Sequence, residues 1–290
     1  MSNKKLIVFL IISMAIWGGS WTSGKLLSIS APFEVVIFWR FFITTLSMIP
    51  LFRFFKVSIR VPIKELLLLL LGGFTIFLYN IGFIAGLQTG FAGAGGVLVT
   101  GLTPIITFLL TILILREKAS YKQILALILG FSGGLIMLEI WNASSSQVLD
   151  RGNMLFLFAA FMWAFLTLLS SRIQRTVHFI VYGFYIYLFC TVFSLALTLF
   201  NHSLGQTPMA FPFWMNMIYL SIGATTIATT IYFLCTKQLG SRLASSFIFT
   251  VPVSALFFSW LILGEIPRLT TLIGGSLTIT AVYLINRKKA

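Results

Sequence analysis

Apolar residues fill most of this chain in long blocks, and polar residues collect in the short gaps between them. A helix that crosses a bilayer needs roughly 18–25 such residues. Ten blocks qualify, with expected limits 6–27, 33–53, 64–87, 92–115, 121–139, 153–173, 179–200, 213–236, 242–263 and 269–286. The pattern therefore predicts an all-α integral membrane protein with ten transmembrane helices. The first block follows Lys4 and Lys5, as the core of a signal peptide would. It runs on to about Leu27 and nine more follow, so it reads as an uncleaved first span.

One block occurs twice. Residues 102–118 read LTPIITFLLTILILREK, and residues 250–266 read TVPVSALFFSWLILGEI. Pro104 precedes Glu117 by the spacing that separates Pro252 from Glu265. The segment from Ala126 aligns with that from Gly274 at the same offset, and Trp17 aligns with Trp163 once two residues are inserted. The chain thus divides into two five-helix units, 1–140 and 150–290.

Basic residues orient the spans. One side receives Lys4 and Lys5, then Arg53, Lys56, Arg60 and Lys64, then Arg116, Lys118 and Lys122. It also receives Arg172, Arg175, Lys237, Arg242 and the C-terminal Arg287, Lys288 and Lys289. The other side receives Arg151 and Arg268, with Lys25 and Arg40 nearby inside helices. Positive loops stay inside, so both termini are expected in the cytoplasm. Five spans per unit is an odd number, so the second unit is inverted relative to the first. Inverted helical repeats are an architecture of secondary transporters, with the substrate site near the midplane between them.

Composition agrees. The chain is 59% hydrophobic and 9% charged, with mean hydropathy +1.03. A soluble surface takes roughly a quarter charged residues, so the solvent here is lipid. The net charge of +14 does not indicate nucleic acid, because the cations sit in short loops rather than on one face. Cys190 and Cys235 lie in different apolar blocks and predict no disulfide or metal motif. No cofactor, metal or catalytic residue is expected. The expected partners are a small-molecule substrate and membrane lipids, and a homodimer is compatible with the sequence.

These features together carry a family resemblance: ten spans, a five-plus-five repeat, a Trp in the first helix of each half, P-x12-E closing helices 4 and 9, and Arg40 in helix 2. The chain resembles the drug/metabolite transporter superfamily, and within it the EamA-type permeases. The resemblance covers almost the whole chain. It implies export or exchange of small metabolites, often amino acids, across a bacterial inner membrane. It also implies a central cavity lined mainly by helices 1–4 and 6–9, with helices 5 and 10 peripheral.

Arg40 is the most expensive residue to place, because arginine near a bilayer centre costs about 2.5–3.5 kcal/mol on insertion scales. It either clamps a substrate carboxylate through its planar fork or pairs structurally with Glu34 or backbone carbonyls. The matching level of helix 7 offers Tyr185 and Tyr187 instead of a cation. Trp17 and Trp163 lie too deep for an interfacial belt and read as cavity walls or as packing between repeats. Tyr79 and Asn80 bring polar groups to helix 3, and Asn80 must face inward. Gly82, Gly86 and Gly90 form a small-residue packing ladder, and the small residues around Trp17 allow close helix contact. The threonines from Thr225 to Thr230 in helix 8 read as packing, satisfied on their own helix.

Pro104 and Pro252 interrupt their helices and are candidate hinges as well as structural kinks. Glu117 and Glu265 close those helices as caps, loop ion pairs or gates. No acid lies near the centre of a span, so proton coupling through a buried carboxylate is not favoured. The function expected is secondary transport of a small organic, amino-acid-like metabolite by alternating access. The alternatives are an intramembrane lipid-modifying enzyme and a non-catalytic membrane scaffold.

Overall fold

The computed structural model describes residues 3–89, 92–116, 120–137, 141, 151–263 and 269–286. The described chain is all-α. The helices are α1 (Asn3–Ser28), α2 (Phe33–Phe54), α3 (Ile63–Thr89), α4 (Ala92–Leu115) and α5 (Tyr121–Met137), then α6 (Arg151–Ile173) and α7 (Phe179–Phe200). Next, α8 is one rod of three stretches, Phe211–Ile218, Tyr219–Thr229 and Thr230–Leu239. Similarly, α9 runs through Ser241–Ser246, Phe247–Thr250 and Val251–Leu263, and α10 is Leu269–Asn286. Among the described residues, 7 helices are long and apolar enough to cross a membrane: α1, α2, α3, α6, α7, α8 and α9. Shorter apolar stretches occupy α4 and α5, over Val99–Ile114 and Tyr121–Ile136.

The packing obeys a two-fold rule. Exchanging each helix of the first five for its counterpart five places on maps contacts onto contacts. The pair α3 with α6 mirrors α8 with α1, α4 with α6 mirrors α9 with α1, and α3 with α7 mirrors α8 with α2. The pairs α2 with α7 and α5 with α10 map onto themselves. Local backbone repeats as well. Both α2 and α7 end with a non-glycine residue in the left-handed region, Lys56 (φ 50) and His202 (φ 51). In each, the residue after it bonds back five positions, Val57 N–H to Phe52 O at 3.0 Å and Ser203 N–H to Thr198 O at 3.0 Å. That closure satisfies helix-end carbonyls before the chain turns away.

Close helix contact is bought with glycine. A Cβ on Gly82 would stand 2.7 Å from the Leu155 carbonyl oxygen, and one on Gly86 would overlap the Phe156 ring. So α3 lies directly on α6, as the small-residue ladder predicts, while Gly90 is outside the described residues. Lipid tails are as apolar as the helices, so such packing and polar contacts between helices hold the bundle, rather than exclusion from water.

The repeat breaks in α8. Tyr219–Thr229 is a π-helix, whereas its counterpart in α3 is regular α-helix. Three threonines there bond backbone oxygens five residues back: Thr225 to Leu220, Thr226 to Ser221 and Thr229 to Ala224, at 2.8, 3.1 and 2.9 Å. The prolines differ too. Pro104 lies inside α4, whereas Pro252 is the second residue of the last stretch of α9, just after a 3₁₀ turn.

His178 caps α7 outside the spans, its Nδ1 accepting the Ile180 N–H at 3.3 Å. Burial first, and then Lys237, push its pKa below the ordinary 6.5. The unfolded chain therefore binds the proton more readily, so this stability is fully present above about pH 6.5 and declines as pH falls through the folded value. Thermal unfolding in detergent should show a small loss between pH 7.5 and 5 that His178→Asn removes. An unchanged slope in the variant would assign the loss to other groups.

Candidate functional site

Seven helices meet around a small central cavity. Trp17, Ser20 and Trp21 reach it from α1, Tyr79 and Phe83 from α3, and Arg40 from α2. Thr100 and Thr103 of α4, Trp163 of α6, Thr229 of α8 and Ile248 of α9 complete most of the wall. Side chains of α7 do not line it, and neither do those described in α5 and α10.

Arg40 is buried, with 8% of its surface exposed, and neutral groups hold it. Its Nε donates to Thr225 Oγ1 at 2.9 Å and its Nη1 to Asn80 Oδ1 at 2.8 Å. Each holder is itself fixed, Asn80 by donating to the Ile76 carbonyl at 2.8 Å and Thr225 by its bond to Leu220. The guanidinium also lies 5.4 Å from the Phe41 ring and 5.8 Å from the Phe83 ring. Glu34 is not its partner: that carboxylate accepts from Asn201 Nδ2 at 3.0 Å. A guanidinium has five N–H groups. Two are committed, and Nη2 has no protein partner among the described residues. The geometry leaves a buried cation with unused donors beside a cavity.

Asn80 is therefore a strut for Arg40 rather than part of the cavity wall. The π stretch of α8 supplies the other strut. It also presents the Ala224 carbonyl to Trp17 Nε1 at 3.0 Å and the Thr225 carbonyl to the Tyr187 hydroxyl at 3.5 Å. Tyr187 thus stands behind the site, beside the anchor of Arg40. Tyr185 stands apart, its hydroxyl donating to the Ile59 carbonyl at 3.2 Å in the α2–α3 loop. Two residues on a helix point about 200° apart, so the two tyrosines cannot share one site. The sequence expectation for Tyr185 is corrected on that ground.

The two tryptophans meet. Trp17 and Trp163 pack edge to face with ring centroids 5.1 Å apart, and Tyr79 lies 4.7 Å from Trp163. Their polar ends differ. Trp17 is bonded, whereas Trp163 Nε1 is buried with no hydrogen-bond partner. Neither of the two described acids, Glu34 and Glu65, lines the cavity. The chemistry on offer is one cation, several N–H and O–H donors, and aromatic walls.

Several wall residues escaped sequence reading. Trp21 and Phe83 each follow a recognised residue, Trp17 and Tyr79, by four positions, and that spacing on one helix face is the signal that finds them. Thr100 and Thr103 lie within one turn before Pro104. Pro104 itself borders a smaller pocket with Phe108, Gln123 and Arg242, away from the central wall. There Arg242 lies 5.0 Å from the Phe108 ring and donates to Gln123 Oε1 at 3.3 Å. Glu117 and Glu265 fall outside the described residues.

Comparison with known proteins agrees with this architecture. The chain is 26% identical to a Bacillus subtilis protein named as the uncharacterized transporter YetK, over 97% of this chain and 87% of that one. It is 24% identical to an uncharacterized transporter of Archaeoglobus fulgidus, over 99% of both. A solved crystal structure superposes with TM-score 0.77 at 18% identity, over 98% of this chain and 97% of that one, which shows a shared fold. The EamA-like transporter family matches residues 4–138 and again residues 150–287, so this multi-pass membrane protein belongs to that family.

Proposed function

We propose that this transporter-family protein is a secondary carrier of small organic metabolites bearing a carboxylate, amino acids among them, working by alternating access. The observation that carries the reading is Arg40, a buried cation with unused donors on a cavity between two inverted repeats. An unpaired charge in a membrane interior is costly, and a bound carboxylate offsets that cost. The aromatic walls suit an organic body. Rocking of the two repeats would open the cavity to each side in turn. The distribution of loop cations supports both termini in the cytoplasm, and the family resemblance favours a bacterial inner membrane with export or exchange as the direction of use.

The test is counterflow in proteoliposomes at equal pH on both sides. Vesicles are loaded with mixed amino acids and labelled aromatic, aliphatic and small polar ones are offered in turn. Saturable, protein-dependent uptake of one class is expected. Absence of uptake in every class and of the corresponding 2-oxo acids, with and without an imposed pH gradient and with folded protein, would overturn the reading.

A further inference from the structure

The charge of the cavity constrains its cargo further. Arg40 is the only charged side chain on the wall among the described residues. Its bonds go to an amide and a hydroxyl, so nothing there neutralises it. The remaining polar side chains of the wall are uncharged: the indoles, the Tyr79 phenol and four hydroxyls that donate to backbone and have only neutral lone pairs to offer an ammonium. Ser20 bonds Trp17 O, Thr100 bonds Gly96 O, Thr103 bonds Val99 O and Thr229 bonds Ala224 O.

An α-amino acid brings its ammonium along with its carboxylate, a few ångströms away. With the carboxylate on Arg40, that ammonium lies close to a fixed positive charge, and no described acid lines the cavity to receive it. The ring nearest the cation already serves it, since Phe83 lies under the guanidinium, and an ammonium on any other wall ring would still stand in the field of Arg40. A carboxylate with no ammonium meets none of these penalties. It cancels the one charge present and presents acceptors to unused donors.

Resting on the transport reading above, we propose that the preferred substrates are organic carboxylate monoanions, and that net transport carries one negative charge across the membrane per turnover. The electrical consequence follows from the fixed cation. The loaded cavity is neutral, so exchange of substrate for substrate moves no net charge through the field. The empty cavity is positive, so the return step that completes net transport moves one charge. A zwitterion leaves the cavity equally positive when loaded and when empty, and its cycle moves none.

The experiment compares three pairs that differ only in keto against ammonium: phenylpyruvate with phenylalanine, 2-oxoisocaproate with leucine, and pyruvate with alanine. Wild-type protein in proteoliposomes, with protein-free vesicles as control, is given a potassium gradient and valinomycin at equal pH. At least one oxo acid is expected to exchange faster than its amino acid, at a rate indifferent to the potential. Under a hundredfold gradient with the inside positive, that oxo acid should accumulate toward about a hundredfold, since one charge moves per molecule. Amino acids exchanging while oxo acids do not would overturn the substrate preference and leave the carrier reading standing. Oxo-acid exchange with no accumulation under the potential would overturn the charge movement alone, as a co-transported proton would produce. No movement of any of the six would overturn both readings.

Discussion

Arg40→Lys is expected to leave the protein folded and to weaken substrate binding about 10- to 100-fold. The ammonium keeps the charge but loses the fork. Arginine spends two N–H groups on Thr225 and Asn80 and still has donors for a carboxylate. Lysine, with three donors on one atom, cannot hold both struts and the ligand in the same geometry. A hydrogen bond to a charged group is worth about 1.5–3 kcal/mol, and each 1.4 kcal/mol is tenfold in affinity. Concentration dependence of counterflow, read beside thermal unfolding of the same variant, makes the distinction. Unchanged affinity with a lowered unfolding temperature would make Arg40 a structural brace between α2, α3 and α8. Asn80→Ala offers a companion check, since it frees one guanidinium bond without touching the cavity wall.

Gly18→Ala is expected to destabilise the bundle by about 1–3 kcal/mol, a typical cost of overpacking. The added Cβ would overlap the Ser254 hydroxyl and lie 2.6 Å from the Ala255 nitrogen and 2.7 Å from the Ser254 carbonyl carbon. Two of these are backbone atoms, so no rotamer change relieves the contact, and α1 must part from α9. That separation would also stretch the bond from Ser254 Oγ to the Met14 carbonyl, now 3.0 Å. Gly101→Ala is the control. A Cβ there meets nothing within 4 Å, and a helical glycine costs about 0.5–1 kcal/mol relative to alanine, so that variant should hold or gain stability. Unfolding temperatures in one detergent decide it. Equal behaviour of the two variants would mean that close approach of α1 and α9 contributes little.

Much of the architecture was legible because its causes are local. Span length follows from bilayer thickness, and the doubled P-x12-E block exposed the repeat without any knowledge of packing. Arg40 stood out because its cost in lipid does not depend on its neighbours. The close approaches at Gly18 and Gly82 were implied by small residues in register.

Other features follow from contacts between helices distant in sequence, which no local pattern encodes. The threonines of α8 suggested packing, but only the assembled bundle shows a π-helix that aims Thr225 at Arg40. Asn80 read as an inward polar group, and tertiary contact made it a strut. Trp17 and Trp163 looked equivalent, yet the Ala224 carbonyl reaches one indole and leaves the other unbonded. Tyr185 and Tyr187 shared a level in the sequence, and helix geometry set them on opposite sides of α7. The sequence by itself determined the number of spans, their duplication and where the costly charge lies, since hydrophobic periodicity and the penalty for burying a charge are properties of single segments. Tertiary structure alone decided which groups hold that charge and which remain open to a ligand, because a hydrogen bond needs both partners in place.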